Sequence, residues 1–284
     1  MKLQFTKVVA TGNDFILIDE IERTLVAEEK KSSLARRLCN RRLGIGADGL
    51  IFISKPSTKD ADIHMRIFNS DGSEAEFCGN AARCVTKYIV EKKLVKSPNV
   101  RIKTLAGIYK TQAILKGRKV FSVKVNLGEP KLKRKDIPMT GNPNDFFIDK
   151  TSKTVALNIG VPHCVLFVDD VDETEVETKG RDIRYNFNIF PKGTNVNFAQ
   201  INNGKVKVRT YERGVEAETL SCGTGVAASA IATSLMGYVK TKDLIEVITR
   251  GGKLKVYIKK EAEKIKRVFL EGSAKISFTG EIII

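Results

Sequence analysis

HMRIFNSDGSEAEFCGNAARCVTKYIVEKKLV at residues 64–95, continued by NVRIKTLAG at 99–107, has a counterpart in KVRTYERGVEAETLSCGTGVAASAIATSLMGYV at 207–239, continued by LIEVITRGG at 244–252. Each stretch opens on a short alternating strand and crosses an acidic turn containing glycine. Each then reaches Cys-Gly, enters a helical run of small and apolar residues, and returns to strands. Thr104 and Gly107 lie 26 and 29 residues after Cys78, and Thr249 and Gly252 lie 27 and 30 after Cys222, so the registers agree within one residue. The two cysteines are 144 residues apart in a chain of 284. That spacing predicts two equivalent domains, each with one cysteine at the start of its helix. Chance likeness between two strand-helix-strand units is the alternative.

Outside these units short alternating strands dominate, as at 120–125, 206–209 and 254–258, with hairpin turns at 116–119 and 202–205. Helices are predicted over 32–40, 79–93, 173–184 and 223–238. Strands outnumber helices and do not alternate with them one for one, as a doubly wound parallel sheet requires. The predicted class is therefore α+β, with curved, largely antiparallel sheet packed on a central helix. Residues 128–149, holding Pro130, Pro138, Gly141 and Pro143, read as the crossover between halves. The halves are then 1–127 and 128–272, with 273–284 returning to the first as a closing strand.

Hydrophobic residues make up 42% of the chain and charged residues 29%, a balance that excludes disorder, collagen-like repeats and coiled coil. The longest weakly polar stretch, 226–239, is 14 residues and carries Ser229, Thr233 and Ser234, too short and too polar to span a bilayer. The opening MKLQFTKVVATGND has no apolar central region or small-residue cleavage site, which predicts a cytoplasmic protein. Cys39, Cys78, Cys84, Cys164 and Cys222 form an odd set with no C-x-x-C pair, and His64 and His163 are the two imidazoles. Neither a disulfide framework nor a structural zinc site is expected from these. The excess of 49 Lys and Arg over 33 Asp and Glu gives a formal charge of +16. It is spread thinly, apart from KLKRK at 131–135 and KKEAEKIKR at 259–267, and no aromatic residues interleave with it as a stacking platform needs. These residues read as solvated faces, with polyanion binding as the alternative from a different functional class.

A cysteine at a helix start has chemical consequences, because the first turn leaves four N–H groups unpaired and carries a partial positive charge. A free thiol of pKa near 8.5 is about 3% ionised at pH 7, and a helix N-terminus that lowers it to about 7 raises this to about 50%. If the halves face each other across a cleft, the two helix N-termini converge where a substrate carboxylate belongs. One thiolate then removes a proton from a carbon while the opposite thiol delivers one to the other face, inverting the centre. Nucleophilic catalysis needs an adjacent histidine base, and His163 alone does not explain two matched cysteines. A redox pair and buried structural cysteines are the remaining alternatives; the structural reading suits Cys39, Cys84 and Cys164, which sit on apolar faces.

At these residues the chain resembles the diaminopimelate epimerases, cofactor-independent amino-acid epimerases that use two cysteines. The resemblance runs through TGNDF at 11–15, GIGADGL at 44–50, FNSDGSEAEFCGNAARC at 68–84, GTNVNF at 193–198 and YERGVEAETLSCGTG at 211–225. It implies two pseudo-symmetric domains, each a barrel-like sheet around a central helix, with the active site in the cleft between them, usually in a homodimer. It also implies that Cys78 and Cys222 are the catalytic acid/base pair. Gly79, Asn80, Gly223 and Thr224 would give backbone N–H groups to the reacting carboxylate. Asn13, Asn69, Asn195 and Arg213 would read the distal end of the substrate, with Glu212 and His163 near the reacting amino group. For each Asn a plain turn or capping role is the alternative, and for Glu212 and Arg213 a surface pair at a strand end. Many members of the family have Gly-Asn-Pro-His where this chain has Gly160-Val161-Pro162-His163. One amide contact is therefore missing or moved, and Asn158 is its candidate replacement.

The implied function is interconversion of LL- and meso-diaminopimelate, a step toward lysine and, in many bacteria, peptidoglycan precursors, with no pyridoxal phosphate or metal needed. The rival within the same fold is a racemase of glutamate or histidine. Arg213 and the amides favour a substrate with a distal polar head, which argues against proline.

Overall fold

Strict alternation turns most of this chain into strands with one apolar face, as in Gly252–Glu261, where Leu254, Val256 and Ile258 are buried, Lys255 between them is exposed and Tyr257 is half-buried. The computed structural model describes residues 2–202, 204–239, 244–262 and 264–283. It divides into two units, residues 1–125 with 272–284 and residues 126–271.

In the first unit Lys2–Ala10 and Asn13–Asp19 form an antiparallel hairpin. Asn13–Asp19 runs parallel to Gly49–Ser54, which pairs antiparallel with Ile63–Asn69. Ile63–Asn69 meets Asn99–Thr104 in parallel, and Gly107–Lys116 and Lys119–Gly128 follow antiparallel. The second unit repeats the order. Thr154–Asn158 and Pro162–Phe167 form the hairpin, Asn195–Asn202 lies parallel to its second strand, and Lys205–Glu212 pairs antiparallel. Lys205–Glu212 then meets Leu244–Thr249 in parallel, followed antiparallel by Gly252–Glu261 and Lys264–Gly272. Lys275–Ile283 pairs antiparallel with Lys2–Ala10. The α+β class holds, with mainly antiparallel, barrel-like sheet in each half.

Four α-helices are described: α1 (Lys31–Cys39), α2 (Gly79–Glu91), α3 (Val176–Arg184) and α4 (Gly223–Leu235). The helix that follows each cysteine is the central one, buried along most of its length. Small residues let the sheet close on α4, whose Val226, Ala230 and Ile231 pack among Val155, Val165, Val206, Val247 and Leu270. Ser229 and Thr233 are fully buried there, and their hydroxyls donate to the carbonyls of Gly225 and Ser229, both at 2.8 Å, so neither hydroxyl is stranded.

Both central helices stop short of the sequence expectation, for the same backbone reason. After α2, Lys93 turns left-handed at φ 58°, and Leu94 N–H bonds Ile89 O at 2.9 Å. After α4, Gly237 does so at φ 73°, and Tyr238 N–H bonds Thr233 O at 3.1 Å. At α3 the expected start at 173 moves to Val176, because the Asp170 carboxylate and carbonyl take up Asp172 N–H and the Thr174 hydroxyl in a local turn. The predicted turn at 116–119 is present, with Gly117 at φ 63°. The one at 202–205 includes Asn203, which lies outside the described residues; Asn202 and Lys205 pair across it. Residues 128–149 are no bare crossover, since Phe147–Asp149 adds a strand beside Thr154–Asn158 and Ile137 and Met139 are buried. Among the described residues no helix is long and apolar enough to cross a membrane.

Candidate active site

Cys78 is the residue that caps α2. Its backbone is extended (φ −141°, ψ 119°) and its carbonyl accepts the first helical bond, from Ala82 N–H at 2.9 Å. Cys222 caps α4 in the same way (φ −96°, ψ 114°), with Val226 N–H donating to its carbonyl at 2.9 Å. Neither side chain caps its helix, so each sulfur sits at the positive end of a buried helix without occupying the N–H groups of the first turn. A bidentate Arg–Glu pair stiffens the approach to each cysteine. Arg66 Nε and Nη2 donate to Glu74 at 2.6 and 2.7 Å, and Arg209 Nε and Nη2 donate to Glu218 at 2.8 and 2.7 Å. Each Glu lies four residues before its cysteine, a repeat signal present in the sequence and missed there.

In the first half Asn13 follows a tight turn whose Thr11 and Gly12 have φ of 48° and 83°. Its Nδ2 donates to Asp48 Oδ2 at 2.6 Å, which fixes the amide so that Oδ1 accepts from Asn80 Nδ2 at 3.1 Å and faces Cys78 Sγ at 3.9 Å. Cys78, Gly79 and Asn80 thus come together with Asn13, which the resemblance assigns to the distal end of the substrate. Behind them stands an ionic cluster that the sequence reading did not contain: Arg41 Nη2 bridges Asp14 and Asp48 at 2.7 Å each, and Lys7 Nζ reaches Asp14 at 2.6 Å. Burial pushes the Asp14 carboxyl up, but hydrogen bonds and charge from Arg41 and Lys7 outweigh it and hold the pKa at about 2. Asn69 ends its strand on an exposed turn, where its Nδ2 donates to Ser73 Oγ at 2.9 Å.

In the second half His163 is completely buried. Asn197 Nδ2 donates to Cys164 O at 3.3 Å and to His163 Nδ1 at 3.1 Å, while Asn197 Oδ1 accepts from Thr210 Oγ1 at 3.0 Å. The amide orientation makes Nδ1 an acceptor, so the ring proton sits on Nε2, which has no protein partner among the described residues. Burial, followed by the charge of Arg213, pushes the imidazole down to about 3, against the opposing bond from Asn197. The ring is therefore neutral and presents a donor. Asn195 links two strands, giving Nδ2 to Pro162 O and accepting Arg213 N–H at Oδ1, both at 2.9 Å. Arg213 Nη1 reaches Lys192 O at 3.1 Å, and Glu212 Oε2 accepts from Thr219 Oγ1 at 2.8 Å. Thr224 Oγ1 is 3.5 Å from Cys222 Sγ, on the turn opened by Gly223. Asn158 Nδ2 is used by Asp136 O at 2.9 Å, which ties that amide to the 128–149 segment.

The buried ring has a stability consequence. Its folded pKa lies below the unfolded value of about 6.5, so the unfolded chain binds a proton that the native chain refuses. Stability is full above pH 6.5 and is lost as the pH falls toward 3. His163→Gln is expected to flatten the fall in urea midpoint between pH 6.5 and 4. An unchanged slope places the acid sensitivity elsewhere.

The other cysteines are chemically distinct. Burial pushes the Cys39 and Cys164 thiols up to about 12, and Cys84 also upward, leaving all three protonated and unreactive. Asn197 was overlooked in sequence although it shares a strand face with Asn195 two residues away.

Two matched halves, each a mainly antiparallel sheet around a central helix, define the fold of this chain. Solved structures that share it include a PhzF-family phenazine biosynthesis protein from Bacillus anthracis (TM-score 0.72, 16% identity, 100% of both chains). A probable proline racemase from Agrobacterium radiobacter K84 also shares it (TM-score 0.71, 17% identity, 99% of this chain and 93% of that one). At such identity the likeness concerns the fold alone. The diaminopimelate epimerase family model matches residues 5–133 and 155–277, and the chain belongs to that family, whose members are isomerases. The diaminopimelate epimerase of Methanocella arvoryzae is 45% identical over 99% of this chain and 97% of its own length. That of Aquifex aeolicus is 42% identical over 99% and 98%.

Proposed function

We propose that this protein interconverts LL- and meso-diaminopimelate, with Cys78 and Cys222 as the acid/base pair acting on opposite faces of one α-carbon. The observation that carries the reading is the matched placement of the two cysteines. Each caps a buried helix and leaves the N–H groups of the first turn unclaimed by its side chain, in a chain that belongs to the epimerase family. One thiolate takes the α-proton, and the C–H electron pair passes into the α-carbon and its carboxylate. The opposite thiol then protonates the other face. The pair ends with its protonation exchanged, to be reset by solvent or by the reverse turnover. Backbone N–H groups of Gly79, Asn80, Gly223 and Thr224 stabilise the extra charge on the carboxylate more strongly in the transition state than in the substrate.

Glu212 supplies the acceptor for the reacting ammonium. His163 lies near it as a neutral donor, suited to a carboxylate oxygen rather than to an N–H. Arg213, Asn69 and Asn195 read the distal head, while Asn13 stays beside Cys78 and the Asn158 amide, held by Asp136 O, does not replace the usual amide at 161. The setting we propose is a cytoplasmic homodimer, its assembly checked by analytical ultracentrifugation.

The reading is tested by deuterium uptake at the α-carbon in D2O over LL-diaminopimelate, glutamate, histidine and proline. Uptake with inversion is expected for diaminopimelate, exceeding the others by at least about 10²-fold, as for a site whose buried polar groups go unpaired with the wrong substrate. Equal or faster exchange of glutamate or histidine assigns the site to that substrate instead.

A further inference from the structure

Among the described residues the largest fully buried side chain is a cation, Arg83, on α2 five residues after Cys78. Its Nη2 donates to Thr11 Oγ1 at 2.8 Å and to Asn80 Oδ1, and its Nη1 reaches Ser273 O at 3.4 Å. Among the described residues its buried Nε–H has no acceptor and none of the ion pairs involves it. Burial pushes the guanidinium down, to about 10, and the acidic groups that act against this are the Cys84 and Cys78 thiols. It remains charged at neutral pH.

A buried charge with no carboxylate partner and an unpaired N–H is a poor way to stabilise a fold, since an apolar residue of similar size fills the space without the desolvation cost. The second half shows that this architecture does without it: five residues after Cys222 the matched position of α4 is Ala227, fully buried. The cation therefore answers a need of the first half other than packing.

We propose that Arg83 is a positioning residue for the Cys78 half of the site. Its guanidinium locks Asn80, and through Asn80 the Asn13 carbonyl beside the sulfur, and it sets a permanent positive charge behind the first turn of α2 that favours the Cys78 thiolate. The remaining ionisable groups on the surrounding elements do not supply this charge. Glu76 is exposed two residues before Cys78, Tyr109 stacks on Phe77 at 3.6 Å, and Cys84 is a buried neutral thiol. Asp48 and Asp14 are neutralised by Arg41 and Lys7, and Lys275 is exposed. The inference rests on reading Cys78 as one of the acid/base pair, but its test does not depend on turnover.

The experiment is the pH dependence of iodoacetamide alkylation, mapped by mass spectrometry at Cys78 and Cys222, in the full-length protein and in Arg83→Met, Arg83→Gln and Arg83→Lys. In either neutral variant the Cys78 midpoint is expected to rise by about one pH unit, an about tenfold slower alkylation at pH 7, with the Cys222 profile unchanged. Arg83→Lys, which keeps the charge and loses the planar fork, is expected to restore the midpoint while kcat stays below wild type. An unshifted Cys78 profile in a folded neutral variant overturns the proposal, as does an equal shift at both cysteines. If neither neutral variant folds, Arg83→Lys decides alone: a wild-type midpoint with reduced kcat supports it, and a raised midpoint overturns it. Cys78→Ala retaining activity would instead remove the acid/base reading and leave the alkylation result standing, so the two failures are separable.

Discussion

Cys78→Ala and Cys222→Ala are each expected to lose epimerisation by about 10²–10⁴-fold, the range for removing one general acid or base, while keeping a near-native melting temperature. The side chain lost is small in both, and the backbone conformation that caps each helix is available to alanine. The sharper expectation concerns what survives. With one thiol removed, the other still strips and returns a proton on its own face, so each variant exchanges the α-hydrogen of one epimer with D2O without inverting it. Cys78→Ala and Cys222→Ala should differ in which epimer exchanges. A substrate analogue should also shield both thiols from alkylation together in the native enzyme. Full turnover in either variant, or shielding of one thiol alone, removes the two-base scheme.

Gly225→Ala is expected to have a large effect at a position with no chemistry of its own. A Cβ there would lie 2.3 Å from Asn197 Oδ1, 3.2 Å from Thr210 Oγ1 and 3.3 Å from Cys222 Cβ. The first of these distances is impossible without movement, and the partner is a buried amide held on three sides rather than a flexible tip. Overpacking of this kind costs about 1–3 kcal/mol. It also displaces Asn197, which sets the tautomer of His163, and tilts the turn that carries Cys222. A misplacement of that size lowers kcat by about 10²-fold. Thermal melts and steady-state rates check the two parts, and a variant with native Tm and native kcat shows that α4 does not rest on Asn197.

The local features of the site were legible because they are one-dimensional. Cys-Gly before a run of small residues marks a helix entry whichever strands surround it, and Cys78 and Cys222 do cap α2 and α4. The half-chain repeat was legible for the same reason, as a spacing. What escaped were partners that meet only through strand register. Asn197 alternates correctly with Asn195, which tells its face but not that it lies between His163 and Thr210. Asp48 sits inside a quoted motif, yet its pairing with Asn13 and Arg41 depends on how the neighbouring strands and loops are brought together. Helix ends were overrun where the stop was a left-handed residue, invisible at Lys93 because lysine carries no sign of it.

The sequence by itself determined that this protein is two copies of one α+β unit, each delivering a thiol to the head of its central helix. Apolar periodicity and residue spacing dictate that much without long-range information. Only the tertiary structure decided which amides are already spent on the protein, which imidazole nitrogen keeps its proton, and that one central helix hides an arginine where its twin has alanine. Those properties are set by burial and by side chains meeting across strands, and neither exists until the chain has folded.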